Sequence, residues 1–107
     1  MSTPRPRGVA ELEELDAVFG ALAHRTRRAI LSVLHAHDGE LTSGAIAQRF
    51  DCSWPTTTRH LHQLEEAGLV EVTLRGRERI YRLNTERLRT LPSQWLDRFT
   101  QTDRPPA

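Results

Sequence analysis

The stretch from Ser53 to Gly68 (Ser-Trp-Pro-Thr-Thr-Thr-Arg-His-Leu-His-Gln-Leu-Glu-Glu-Ala-Gly) gathers the side chains best suited to ligand chemistry. Hydroxyls (Ser53, Thr56, Thr58), a guanidinium (Arg59), an imidazole (His62) and an amide (Gln63) follow one another, with Trp54 and Pro55 at the leading end. These donors and acceptors are of the kinds that meet phosphate oxygens and base edges in a DNA major groove. The stretch also reads as a helix. Ser53 takes the N-cap, Pro55 sits in the first turn where its missing N–H costs nothing, and Gly68 supplies the left-handed stop. At about 100° per residue, Thr57, Leu61 and Leu64 share one side. Pro55, Arg59, His62 and Glu66 share the other, flanked by Thr56, Thr58 and Gln63. Many solvated surface helices have such a polar face, so the surrounding elements must decide its meaning.

Other chemistries find little support. No serine–histidine–carboxylate or cysteine–histidine set and no phosphate loop is legible, so no enzyme is expected. A zinc site needs three or four converging ligands. His35 and His37 lie two apart, as do His60 and His62, and on a helix neither pair shares a face. No metal and no other cofactor is expected. The single cysteine, Cys52, excludes an internal disulfide and fits a reducing compartment. With no long apolar run and no signal-peptide core, the expected setting is cytoplasmic, away from membranes.

The chain has 107 residues, enough for one domain. Only six are aromatic, so the core is small and aliphatic and is expected to complete its burial by dimerising. Net charge is +1, weak support for nucleic-acid binding. All fifteen basic residues are arginine, a number that a GC-rich coding sequence explains; their placement says more.

Residues 1–8 are polar and Pro-rich and read as a disordered arm. Leu12, Leu15, Phe19 and Leu22 recur at helical spacing and place a first helix over Val9–Ala23. A second runs from Thr26 to His35 with Ile30, Leu31 and Leu34 inward. Arg25, Arg27 and Arg28 crowd its first turn, the wrong end for the helix dipole, which points to phosphate or a partner acid. After a turn at residues 37–40, Thr42 caps a short helix to Phe50, with Ser43 in its first turn and Ile46, Ala47 and Phe50 inward. With the Ser53–Gly68 helix so close behind, the pair matches a helix-turn-helix. The period then changes to that of a β-hairpin whose tip, Arg75-Gly-Arg-Glu-Arg79, reads as a phosphate-contacting wing. Asn84 or Thr85 caps a last helix carrying Leu88, Leu91, Trp95 and Phe99. Pro92 lies inside it and predicts a kink or break near Leu91. Residues 101–107 read as a frayed tail, leaving 9–100 as the domain.

The order α-α-α-α-β-β-α, mainly α with a β-hairpin, spells a winged helix-turn-helix. From Phe19 to Phe99 the chain resembles the ArsR/SmtB family of bacterial transcriptional repressors. The resemblance rests on Phe19-Gly-Ala-Leu-Ala23, Thr26-Arg-Arg-Ala-Ile-Leu31, Leu41-Thr-Ser-Gly-Ala-Ile-Ala47, Ser53-x-Pro55, Arg59-His-Leu61, Leu64-Glu-Glu-Ala-Gly-Leu-Val70, Gly76-Arg77 and Tyr81-Arg-Leu83. It implies a homodimer that binds a pseudo-palindromic operator in double-stranded DNA and represses transcription. Dimerisation would use the first and last helices: Leu12, Leu15, Phe19, Leu22, Leu88, Leu91, Trp95 and Phe99. The family's recognition-helix contacts fall on Trp54, Pro55, Thr58 and Arg59, and its wing contacts on Arg75, Arg77 and Arg79. With the residue-level reading, the candidate DNA-binding set is Ser43, Ser53, Trp54, Pro55, Thr56, Thr58, Arg59, His62, Gln63, Arg75, Arg77 and Arg79.

Three departures stand out. His24-Arg25 replaces the Asp-Pro that many members carry before the second helix, and Thr57 stands where a small aliphatic is usual. The family's metal ligands, Cys-x-Cys in the third-helix region or Asp/His/Glu on the last helix, have no counterpart set here, so the chain resembles a metal-independent branch. Two alternatives stay open: a winged helix that binds protein, favoured by the low net charge and Trp54, and a repressor sensing metal or redox state through Cys52.

Overall fold

A computed structural model describes residues 7–102 of the chain; residues 1–6 of the expected arm and 103–107 of the expected tail lie outside the described residues. Its elements are α1 (Arg7–Leu22), α2 (Arg25–Ala36), β1 (Glu40–Thr42), α3 (Ser43–Ala47), α4 (Trp54–Glu66), β2 (Val70–Arg75), β3 (Glu78–Leu83) and α5 (Thr85–Thr102). Every helix and both hairpin strands expected from the periodicity are present. Helix α1 starts two residues before the expected Val9, and α5 continues two residues past 100.

One strand has no counterpart in the expected order. β1 pairs antiparallel with β3 (Glu40↔Arg82, Leu41↔Tyr81, Thr42↔Ile80), giving a sheet ordered β1-β3-β2. Three residues are too few to show a period of two, and the strand exists only because β3 offers an edge. The preceding turn needs left-handed backbone at Asp38 (φ 62°) and Gly39 (φ 89°), conformations that Asp tolerates and Gly adopts freely.

Apolar spacing sets the core. Val18 from α1, Ile30 and Leu34 from α2, Ile46 from α3 and Leu61 and Leu64 from α4 are almost wholly buried, together with Leu69 and Val70. Tyr81 and Leu83 close the cluster from β3, and Leu22, Phe50, Leu88 and Leu91 pack around it.

Two expectations about helix ends change. Helix α3 stops at Ala47 rather than Phe50, because Arg49 N–H and Phe50 N–H donate to Ile46 and Ala47 carbonyls three residues back and tighten the chain into a turn. Helix α5 passes through Pro92 without a break. Pro92 forfeits one backbone donor, and Leu91 and Trp95 on either side of it are held against neighbouring elements. Asn84 starts α5 as expected, its Oδ1 accepting from Arg87 N–H at 3.2 Å.

Candidate nucleic-acid interface

The polar stretch folds as α4, and its cap is built locally. Ser53 Oγ accepts from Thr56 N–H at 3.3 Å and donates to Thr56 Oγ1 at 3.0 Å. Thr57 is buried, and its hydroxyl donates to Ser53 O at 3.1 Å, so a polar atom sits under the helix without an unmet bond. Ala67 ends the helix, and Gly68 follows with φ 77°. A Cβ at Gly68 would come within 2.6 Å of Arg87 Nε, so the glycine also makes room for Arg87, which donates to Ala67 O at 2.8 Å.

Burial divides α4 as its sequence predicts, with one addition. Thr57, Leu61 and Leu64 face inward, joined by His60, which is 8% exposed. Trp54, Pro55, Thr58, Arg59, His62 and Gln63 are exposed. Their functional standing differs. Arg59 makes no hydrogen bond or ion pair with any described residue, whereas His62 Nε2 lies 3.0 Å from Glu66 Oε1 and its Nδ1 3.9 Å from Glu65 Oε1. The carboxylates make the C-terminal half of the face acidic, while the N-terminal half, from Trp54 to Arg59, carries none. Ser53 and Thr56 are engaged in the cap, and Ser43 is half-buried beside the Thr42 cap of α3, where Thr42 Oγ1 accepts from Ala45 N–H at 3.0 Å.

The wing separates its three arginines. Arg75 and Glu78 pair across a two-residue loop, Gly76-Arg77, in which only Gly76 has positive φ (65°). That sign pattern is the one a type II′ hairpin turn requires. Arg77 is therefore the tip. Arg75 lies on the same sheet face as Glu40 and Arg82, and Glu40 holds both guanidiniums: its Oε2 is 3.5 Å from Arg75 and its Oε1 3.2 Å from Arg82. Arg79 is paired with Leu74 on the other face, and Leu74 is 72% exposed. Glu40 and Arg82 were not legible as wing residues, because β1 brings them there from outside the hairpin pattern.

The three arginines at the start of α2 behave differently again. Arg27 Nε donates to Ala21 O at 2.8 Å and its Nη2 to Gly20 O at 3.1 Å; Arg28 Nη1 donates to Leu22 O at 2.8 Å. Two of the three thus cap the carbonyl end of α1, replacing the phosphate or acid expected from sequence. What looked like the wrong end of one dipole is the right end of its neighbour's. Among the described residues Arg25 makes no such bond. His24 solves the missing Asp-Pro: its Nδ1 accepts from Thr26 N–H at 3.1 Å and caps α2.

Arg27 also reaches α4, its Nη1 lying 3.3 Å from His60 Nδ1. A guanidinium only donates, so Nδ1 accepts and carries no proton. The ring of His24 lies beside that of His60, centroids 4.4 Å apart. Burial first, then the charges of His24, Arg27 and Arg59, hold the His60 imidazole below its ordinary value of 6.5. His60 was absent from the expected inner face, although its spacing from Thr57 and Leu64 (three before, four after) carried the signal.

Helix α1 packs on α5 as well as on α2 and α4. Phe19 meets Trp95 edge-on at 5.8 Å, and Trp95 meets Phe99 at 4.8 Å. The expected interface stripe splits in two: Leu15 is buried within the single chain and Leu22, Leu88 and Leu91 pack on the core, while Leu12, Phe19 and Phe99 stay exposed. Leu96, unassigned from sequence, is exposed with them.

A three-helix core, a helix with a polar outer face behind a short turn, and a three-stranded sheet ending in a cationic hairpin define a winged helix-turn-helix protein. Residues 22–73 match the family described as a helix-turn-helix domain. The transcriptional repressor SdpR of Bacillus subtilis is 37% identical over 71 residues, covering 66% of this chain and 77% of that one. An ArsR-like transcriptional regulator from Rhodococcus superposes with a TM-score of 0.76 at 30% identity, covering 88% of this chain and 87% of the other. A homodimeric winged helix-turn-helix DNA-binding domain from Mycobacterium bovis, a possible ArsR-family regulator, superposes with a TM-score of 0.70 at 28% identity over 97% of this chain and 94% of the other. The chain belongs to the ArsR/SmtB superfamily of winged helix-turn-helix transcriptional regulators, a family of regulators rather than of enzymes. No described helix is long and apolar enough to cross a membrane.

Proposed function

We propose that the chain acts as a homodimeric repressor that places α4 in the major groove of a pseudo-palindromic operator. The observation that carries this reading is the division of α4, with Trp54, Pro55, Thr58 and Arg59 exposed together at the end of the helix free of carboxylates. Arg59 is the base-reading residue, because a free guanidinium on an outward helix face offers guanine a bidentate fork. Arg77 at the wing tip meets phosphate, with Arg79 beside it and Arg75 shared with Glu40. Ser53 and Thr56 set the direction of the helix, Gln63 and His62 lie at the margin of the contact, and Ser43 is an accessory phosphate donor at the start of α3.

The dimer reading is supported by the large apolar side chains left exposed on α1 and α5, Leu12, Phe19, Leu96 and Phe99. The Mycobacterium bovis domain is homodimeric, and SdpR is a repressor, which agree with this assignment. Action without a metal is part of this proposal, and DNA affinity is expected to be unchanged by a chelator or by added zinc.

The test is selection of bound duplexes from a random-sequence pool, then salt-titrated binding on the selected duplex and a scrambled one. Enrichment of an inverted repeat, with half-sites about one helical turn apart or a multiple of it, is expected. Sedimentation at micromolar concentration is expected to give a dimer. A monomer, or equal affinity for selected and scrambled DNA, overturns the reading, and absence of any DNA binding favours a protein partner at Trp54.

A further inference from the structure

A groove of about 540 Å³ opens between α2 and α5 at the end of β3, and no residue of α4 or of the wing tip lines it. Its floor is aliphatic: Leu31 and Leu83 are buried in the core behind it, and Leu88 is half-buried beside them. Its rim carries Ser32, His35, Thr85, Arg89 and Ser93, all exposed, and no carboxylate lines it. Neither the Arg89 nor the His35 side chain makes a hydrogen bond or ion pair with another described residue. The volume lies inside the range of about 300–1,000 Å³ found for small-molecule pockets, which pair apolar walls with a few polar groups.

We propose that this groove is a binding site for a small alkyl carboxylate. The chemistry of the lining selects that class. Leucine side chains without an aromatic partner suit an aliphatic body. One free guanidinium, backed by an imidazole, offers a carboxylate two parallel hydrogen bonds. A cationic ligand would meet Arg89 with no acid to offset it. The groove lies between the two helices that brace α4, α2 through Arg27 on His60 and α5 through Arg87 on Ala67. The site stands apart from the DNA-binding reading and is tested without DNA.

The experiment is methyl-detected NMR of the full chain titrated with octanoate, octanol and octylammonium. Octanoate is expected to shift the Leu31, Leu83 and Leu88 methyls saturably, with a dissociation constant on the order of 1 mM or tighter for so small a ligand. Octylammonium is expected to bind at least tenfold more weakly. Arg89→Gln, an exposed change that leaves the fold intact, is expected to weaken octanoate about tenfold and to leave octanol unchanged. Equal binding of octanoate and octylammonium, or full octanoate affinity in Arg89→Gln, overturns the proposal. Shifts confined to Leu12 and Leu96 would place the ligand on the α1–α5 face instead and overturn it too. So would groove-methyl shifts on simple dilution without ligand, which would assign the groove to a second copy of the chain.

Discussion

The junction of α1 and α2 and the tip of the wing are both rich in arginine, and they use it in opposite ways. At the junction, Arg27 and Arg28 turn back on the chain and spend their donors on the carbonyls of Gly20, Ala21 and Leu22. At the wing, the guanidiniums of Arg77 and Arg79 make no hydrogen bond or ion pair with a described residue, and Arg75 shares a surface acid with Arg82. The contrast teaches that arginine count is a poor guide to nucleic-acid binding. A guanidinium that reaches orphan carbonyls at a helix end is a structural cap, and one that finds none remains available to an anion.

The comparison breaks most sharply at Arg27. Arg27→Ala removes charged donors from two carbonyls and from His60, and an expected loss of about 2–3 kcal/mol should appear in urea denaturation. If the variant is as stable as the parent, the junction arginines are not caps and the contrast fails. Arg59→Ala, on the outward side, is expected to leave stability unchanged while lowering discrimination between selected and scrambled DNA by about 1–3 kcal/mol. Equal losses on both duplexes would move Arg59 from base reading to phosphate contact.

A smaller effect comes from His60, the acceptor that Arg27 holds. The folded state resists its protonation, because burial and the neighbouring cations disfavour the charged ring, whereas the unfolded chain takes up the proton near 6.5. The unfolded state therefore binds more protons as pH falls. Stability contributed by the neutral ring is complete above the ordinary value, declines below it, and levels off once pH passes the lower folded value. The slope is at most about 1.4 kcal/mol per pH unit, and the measurement is the difference in that slope between the parent and His60→Gln. Identical slopes would mean that His60 titrates as it does in the unfolded chain.

At the wing, as at Arg59, the effect on stability is small. Arg77→Ala is expected to leave unfolding within about 0.5 kcal/mol of the parent. Its DNA affinity should fall alike on all sequences, with the salt slope reduced by about one unit. A loss of stability comparable to that of Arg27→Ala would erase the distinction between the two regions.

By itself the sequence determined what repeats along the chain. The spacing of Leu12, Leu15, Phe19 and Leu22 defined a helix whose buried face is in fact Leu15, Val18 and Ala21, while that of Ile30, Leu31 and Leu34 and of Thr57, Leu61 and Leu64 defined both helices and their inner faces, because burial at 3.6 residues per turn is a local pattern. Ser53, Pro55 and Gly68 marked the bounds of α4, and Gly76 marked the wing turn, because capping and positive φ constrain single positions. Tertiary structure decided everything that depends on which element lies beside which. β1 forms only against the edge of β3, so Glu40 becomes a partner of Arg75 and Arg82. Arg27 and Arg87 cap helices other than their own, and His60 takes its proton state from groups on α2 as well as its own helix. Leu15 and Leu12 look alike in the periodicity, yet one is buried and the other exposed. The physical reason is the same in each case: a hydrogen bond or contact between residues distant in sequence leaves no period in the chain, and only the packed fold brings its two partners within reach.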